Sequence, residues 1–456
     1  MLARAQVAGD ALALLTRGWL LAQQGIWVPF GNPLATSTGG FIPGGLTALV
    51  VGVPLMAWMD HRAPVVPILA SHVLAYLLLD RVVGSAWGGR GGRGERAAPA
   101  RIVLAVVYWL GPWRLYQSAW LDNSNYVFLT GAIHLWTCYR QRERAGFWDS
   151  TLLVGAVGLT LQLHMDAMLL VFATGLLWLR GHFKPHWGGV LAGTAITFGS
   201  LVPYFAQLAR HPEILPGGSG DPLGTSLLFV WPPLKGVLYW VRYASLSVSG
   251  GFVDFDFGPA FGARVDRVLT PALRVLAVLA AGTAFFALAA NVRAFRRHLA
   301  WSRSRPSGRT SGRIWLRGYA LWMLAAGVVA NSLSPTTVMW WHNLIAFHAA
   351  VLPVVLWGGA LLRTRHAPRV RRAIAAYAGL SVVLLLGMAF GADQYRHGGR
   401  EPQRWVLHRS DHVVRDLRLT EYGIVIDSEG GWWPINNELL YEEYVRPFLL
   451  PPPGAK

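Results

Sequence analysis

Runs of uncharged, apolar residues recur along this chain at short intervals, and most of its charges are arginines gathered between those runs. A run of about 17–25 apolar residues matches the ~30 Å hydrocarbon core of a bilayer when it is helical. Only 14% of the residues are charged and 53% are hydrophobic, against roughly 25% and 45–50% in soluble globular domains. That deficit of charge excludes a soluble globular chain. It predicts an all-α polytopic membrane protein.

The runs lie at 64–82, 101–113, 124–139, 149–163, 166–180, 187–207, 268–291, 315–333, 343–362 and 372–391. A further stretch, 42–58, is interrupted by Pro43, Gly44, Gly45, Gly52 and Pro54, and reads either as a span or as a broken segment dipping into the bilayer. About 10–11 membrane helices are therefore expected. Residues 10–25 read as an amphipathic helix lying on the membrane.

The formal net charge is +18, with 41 basic and 23 acidic residues. Such a balance usually suggests nucleic acid, but here the arginines occupy short loops between spans, where they set orientation instead. The clusters at 90–101, 140–144, 180–184, 293–317 and 363–372 are each separated from the next by two runs. All five then share one side, which the positive-inside rule makes cytoplasmic. The glycine- and serine-rich stretches Gly84–Gly94 and Arg303–Arg313 are linkers on that side.

The opposite, external side holds 114–123, the turn at 163–166, 208–267, 334–342 and the tail 392–456. Three regions follow: an external amphipathic and membrane-dipping segment at 1–63, a transmembrane domain at 64–391, and a small external tail at 392–456. In the tail, Tyr422–Asp427 is strand-like and Asn437–Val445 helix-like. Cys138, the only cysteine, falls in an apolar run and reads as a small packed hydrophobe. His72 and His134 lie inside runs and are expected to be buried, neutral and hydrogen-bonded.

Three external segments carry chemistry. Gly111–Tyr126 (GPWRLYQSAWLDNSNY) joins Arg114, Asp122 and several amides to Trp113 and Trp120. It reads either as an interfacial aromatic belt with Asp122 capping a helix at Asn123, or as a site for a phosphate- or sugar-bearing lipid. Gln162–Asp166 (QLHMD) places His164 and Asp166 at a tight turn, as a structural pair or a functional one. Ser334–His348 places Trp341 and His342 at an external entrance, where His342 can meet an anionic head group. No HExxH or CxxC accompanies them.

Asp10 opening an amphipathic helix, a Gly/Pro-marked dipping segment, a span starting near Arg62 and an external loop carrying Asp122 form an order of features. That order resembles the GT-C superfamily of membrane glycosyltransferases, the relatives of the protein O-mannosyltransferases and the aminoarabinose transferases. The family's first external loop carries a catalytic acid, matched here by Asp10, and its second carries another, matched by Asp122. Arg62, and His342 to Pro353, would match positions near the lipid phosphate. Two departures stand out: Asp10 is flanked by Gly9 and Ala11 where the family has adjacent acids, and the family's first span would have to precede Met1.

The resemblance implies transfer of a sugar from a polyprenyl-phosphate carrier to an envelope glycan, lipid or protein at the periplasmic face of a bacterial inner membrane. Asp10 would be the general base and Asp122 would orient acceptor or base. Arg62, Arg114 and His342 would hold the phosphate, with His164 and Asp166 beside the substrate. The resemblance commits the chain to no cofactor and leaves a divalent metal open, since relatives differ and no ligand cluster is evident. Two other classes fit a polytopic chain: a transporter or lipid flippase, and a glycan polymerase or ligase using a pyrophosphate-linked substrate. Transporters tend to place ionisable groups near the midplane, whereas the acids here lie at external span ends.

Overall fold

The structure, a computed structural model, describes residues 6–33, 40–88, 94–118, 120–212, 231–247, 257, 261–304, 310–334, 340–391, 407–409, 412–420 and 423–428. In chain order the main elements are β1 (Gln6–Ala8), α1 (Gly9–Gln24), β2 (Phe30–Pro33), β3 (Phe41–Pro43), α2 (Leu46–Ala57), α3 (Val65–Gly88), α4 (Ala98–Trp109) and α5 (Pro112–Gln117). There follow β4 (Trp120–Leu121), α6 (Phe128–Arg140), α7 (Phe147–Leu163), α8 (Ala167–Leu179), α9 (Trp187–Arg210) and α10 (Trp231–Tyr243). The second half continues with α11 (Ala263–Ala281), α12 (Thr283–Ser304), α13 (Gly312–Ser332), α14 (Phe347–Leu361) and α15 (Ala367–Gly391). It closes with the short strands β5 (Leu407–Arg409), β6 (His412–Thr420) and β7 (Gly423–Ser428).

The chain is a helical, multi-pass membrane protein. Five stretches are long and apolar enough to cross a bilayer: Val65–Trp87, Trp187–Arg210, Ala263–Ser304, His342–Leu361 and Ala367–Gly387. Four shorter apolar helices, including α7 and α8, pack among them. α14 is apolar on every side and almost entirely buried, so it is the central helix of the bundle. The outer helices expose Phe285, Val278, Leu191 and Leu77, faces that only lipid tails would cover.

Where the runs and the helices differ, a local cause is visible. The run 101–113 stops at Trp109, because Pro112 lacks an N–H to continue the ladder and starts α5 instead. The run 268–291 is interrupted at Gly282, between α11 and α12. The ambiguous stretch 42–58 becomes β3 followed by α2, whose 12 residues extend only about 18 Å at 1.5 Å per residue, short of a ~30 Å crossing. α2 lies against α1 at close range, because Gly18 and Gly52 meet there. A Cβ on Gly52 would stand 2.9 Å from the Gly18 carbonyl oxygen.

At one end of the bundle a small sheet runs in the order β4-β1-β5-β6-β7. β1 pairs in parallel with β4 on one side (Gln6 with Trp120, Val7 with Leu121) and with β5 on the other (Val7 with Leu407, Ala8 with His408). The amino-terminal segment therefore lies on the same side of the bundle as the loop 114–123. Of the tail, the strand expected at Tyr422–Asp427 is present as β7, and Asn437–Val445 lies outside the described residues.

Candidate functional site

The β1–β4 pairing decides where the two acids stand. Val7 and Leu121 are partners in parallel strands, which run about 4.8 Å apart. Asp122 follows Leu121 directly, and Asp10 follows Val7 by three positions in the first turn of α1. Both backbones leave the sheet in the same direction at the same edge. A carboxylate in a helix's first turn also sits where the helix dipole favours negative charge.

Asp122 is extended at φ −149° and caps the short 3₁₀ turn Asn123–Val127. Its Oδ1 accepts from the Ser124 N–H at 2.8 Å and from the Ser124 hydroxyl at 2.7 Å. The capping role expected of it is thus occupied, and Oδ2 is outside these bonds.

The turn Asn123–Val127 touches the end of α7 and a second 3₁₀ turn, Trp340–Ala346. This contact brings in the second group of site residues. His164 caps the C-terminus of α7, and its Nδ1 lies 3.0 Å from Asp166 Oδ1. The Asp166 backbone N–H also donates to that nitrogen at 3.2 Å. Asp166 is buried, and its Oδ2 has no hydrogen-bond partner among the described residues. The His342 ring stands 5.8 Å from the His164 ring, centre to centre.

A glycine holds this arrangement together. Gly44, at φ +90°, follows β3 and abuts Gln162 so closely that a Cβ would lie 2.5 Å from its Cγ. Gln162 in turn donates through Nε2 to Ser200 Oγ on α9 at 2.9 Å. The amino-terminal segment is thereby seated on the QLHMD turn.

The two arginines singled out from the sequence have partners. Arg62, in the turn between α2 and α3, grips Asp60 with both Nε (2.8 Å) and Nη2 (2.6 Å) and lies over the Trp58 ring. Burial raises the Asp60 carboxyl, but the Arg62 bonds and the charges of His61 and Arg62 outweigh it and hold the group below its ordinary value of 3.8. Arg114 is buried and turned back onto α4, donating from Nε to the Tyr108 carbonyl (2.7 Å) and from Nη2 to that of Trp109 (3.1 Å). There it supplies the end of α4 with donors that Pro112 and the break in the helix withhold. His134 is buried between Tyr319 Oη at 2.8 Å and Thr174 Oγ1 at 3.0 Å.

One residue is conspicuous only in three dimensions. Arg17, on α1, is fully buried between the hairpin rings of Phe30 and Phe41, at 5.8 and 6.0 Å. Its Nη1 donates to the Ala13 carbonyl and to Asn32 Oδ1. Its Nε and Nη2, the edge with which Arg62 grips Asp60, have no partner among the described residues. Burial pushes the guanidinium down to about 9. The available signal was the spacing: Arg17 is seven residues, two helical turns, from Asp10 and so shares its helix face.

Among the described residues no group of three or more His, Cys, Asp or Glu is placed to hold a metal ion. No protein-family model and no curated protein matches the chain. It is similar to the crystal structure of ArnT from Cupriavidus metallidurans in the apo state, at 12% identity over 85% of this chain and 72% of that one, with a TM-score of 0.49. It is also similar to ArnT from the same organism bound to undecaprenyl phosphate, at 17% identity over 82% of this chain and 59% of that one, with a TM-score of 0.44. The likeness is one of overall course at low identity.

Proposed function

We propose that the chain is a membrane glycosyltransferase that moves a sugar from a polyprenyl-phosphate carrier to an acceptor hydroxyl. The observation that carries this reading is the parallel β1–β4 pairing, which sets the strands leading to Asp10 and Asp122 next to each other although 112 positions separate the two acids. Asp10 acts as the general base: it takes the acceptor's hydroxyl proton while the hydroxyl oxygen bonds to the anomeric carbon. The bond from that carbon to the phosphate oxygen breaks, and the phosphate leaves on its lipid. Charge at the sugar is oxocarbenium-like, as in glycoside hydrolysis, so a nearby carboxylate stabilises it. Asp122 orients the acceptor or the base.

The leaving phosphate needs donors. Arg62 and His342 serve that side of the site, with His164 and Asp166 beside the sugar, while Arg114, expected from the sequence to hold phosphate, spends its donors on the end of α4. Arg17 joins them, because a buried guanidinium with an open bidentate edge suits a phosphate oxygen pair. The carrier's tail lies along the apolar outer faces of the bundle. The acceptor is an envelope glycan, lipid or protein, and the site faces the periplasm of a bacterial inner membrane. The neighbour bound to undecaprenyl phosphate is a protein with the same kind of lipid ligand.

The test is transfer of label from a polyprenyl-phosphate-linked hexose to membrane acceptors. Asp10→Asn should lower the rate by about 10²–10⁴-fold, the usual contribution of a positioned base, at unchanged protein level. Wild-type rates in both Asp10→Asn and Asp122→Asn would sink the mechanism.

A further inference from the structure

The far end of the bundle carries a feature the transfer reaction does not use. α13 ends beside the candidate site, where Asn331 Nδ2 donates to Asn343 Oδ1 at 3.2 Å, next to His342. Fourteen residues back along the same helix, about 21 Å at 1.5 Å per residue, is Arg317. It is within electrostatic reach of Arg297, Arg313 and Arg293. Along α12 an open groove of about 520 Å³ leads to this cluster. Its apolar part is formed by Phe285, Leu288 and Val292, and its basic end by Arg293, Arg296 and Arg297. These positions recur at helical spacing, so a single stripe about 18 Å long changes from apolar to cationic. Phe285 is 77% exposed, without cover from the described residues.

Charge compensation distinguishes these arginines from others in the protein. Arg101 is paired with Asp80, Arg140 with Asp149 and Arg142 with Glu143. No ion pair involves Arg293, Arg296, Arg297, Arg313 or Arg317 among the described residues. Nor can a near neighbour in sequence supply one, since no acidic residue stands between Asp266 and Asp393. Arg293 instead lies over the Trp357 ring, which is itself stacked on Phe286. Several guanidinium groups converge at the end of an apolar groove without a carboxylate between them.

We infer that this groove binds an anionic phospholipid of the adjacent leaflet, its acyl chain along Phe285, Leu288 and Val292 and its phosphate between Arg293, Arg296 and Arg297. The lipid provides the negative charge that the polypeptide lacks here, and covers the exposed apolar stripe at the same time. Basic residues near a bilayer surface each favour anionic lipid by an increment that together gives three arginines about a hundredfold preference.

The full-length protein in detergent is titrated separately with dioleoyl-phosphatidylglycerol, dioleoyl-phosphatidylcholine and inorganic phosphate, with bound lipid counted by native mass spectrometry and thermal stability followed in parallel. Phosphatidylglycerol should be retained about a hundredfold better than phosphatidylcholine, with the preference shrinking as salt rises. The Arg293→Gln/Arg296→Gln/Arg297→Gln variant should lose that preference. Because removing these charges can disturb orientation in the membrane, Ala289→Trp provides a second variant, which fills the groove and keeps every arginine. It should reduce retention at least tenfold. Equal retention of the two lipids by the wild type, wild-type retention in Ala289→Trp, or equal protection by inorganic phosphate overturns the inference.

Discussion

Replacing Asp122 with Asn, Ser and Ala separates the two roles its position allows, since the cap and the chemistry ask different things of the side chain. As a cap, Asp122 Oδ1 accepts from the Ser124 N–H and hydroxyl. Asn and Ser keep an acceptor there and rank with Asp as N-caps, whereas Ala loses about 1 kcal/mol. As a positioning group in sugar transfer, the residue needs its negative charge. A loss of about a hundredfold in rate corresponds to ~2.7 kcal/mol at 1.36 kcal/mol per decade. The expectation is that Asn and Ser fold as the wild type does, judged by heating followed by fluorescence-detected size exclusion. In labelled-hexose transfer they should nevertheless fall about a hundredfold. Ala should lose both stability and rate. Transfer within twofold of the wild type in Asn and Ser would reduce Asp122 to a helix cap and remove it from the mechanism.

Gly44→Ala should cost about 1–3 kcal/mol, because it forces a side chain into positive φ and against Gln162; the midpoint of heat-induced aggregation measures it, and an unchanged midpoint refutes the seating of the amino-terminal segment on α7. Arg62→Gln should cost at most about 1 kcal/mol near neutral pH, as expected of an exposed pair. The Asp60 carboxyl is held below 3.8, so the pair's contribution is present above that value and is lost as pH falls through the lower folded-state value. Melting curves of mutant and wild type should therefore converge in acid. Arg17→Met should raise stability by about 1–3 kcal/mol, because it removes an uncompensated buried charge, and should abolish transfer if the open guanidinium edge holds phosphate; a destabilised yet active variant would contradict both expectations.

How much of this was legible in the sequence follows from the range over which each signal acts. The turn between α7 and α8 falls at His164–Asp166, as the runs 149–163 and 166–180 require, because the polar residues there interrupt two apolar stretches. Asp122 capping at Asn123 is likewise a local effect of an acceptor side chain on the next N–H groups. The strand at 423–428 shows in its β-branched residues. By contrast, the break at Gly282 lies within an unbroken apolar composition, where hydropathy has nothing to register. Arg62 and Arg114 carry charge that suggests a ligand in the sequence, yet the bonds of Arg114 to Tyr108 and Trp109 depend on a helix end that only folding creates. β1 is the least legible element, since three residues acquire strand structure only from partners at 120–121 and 407–408.

That dependence has a consequence for the tail. β1 has three residues and β4 two, too few for a pair that stands by itself, so the order of the segment leading to Asp10 relies on β5 covering its other edge. The register makes this testable. Val7 and Leu407 are partners in the ladder, at a backbone separation of about 5 Å that a disulfide can bridge. Cys138 is buried and does not compete. The double variant Val7→Cys/Leu407→Cys should cross-link on mild oxidation, giving a closed species that migrates faster until reduced. A chain ending at 391 should lose protection from proteases within its first twelve residues and lose transfer in the same proportion, while helix content stays constant. If the cross-link fails to form and truncation leaves both protection and transfer intact, the tail does not brace β1. The placement of the segment leading to Asp10 would then have to rest on β4 and the packing of α1 against α2 alone.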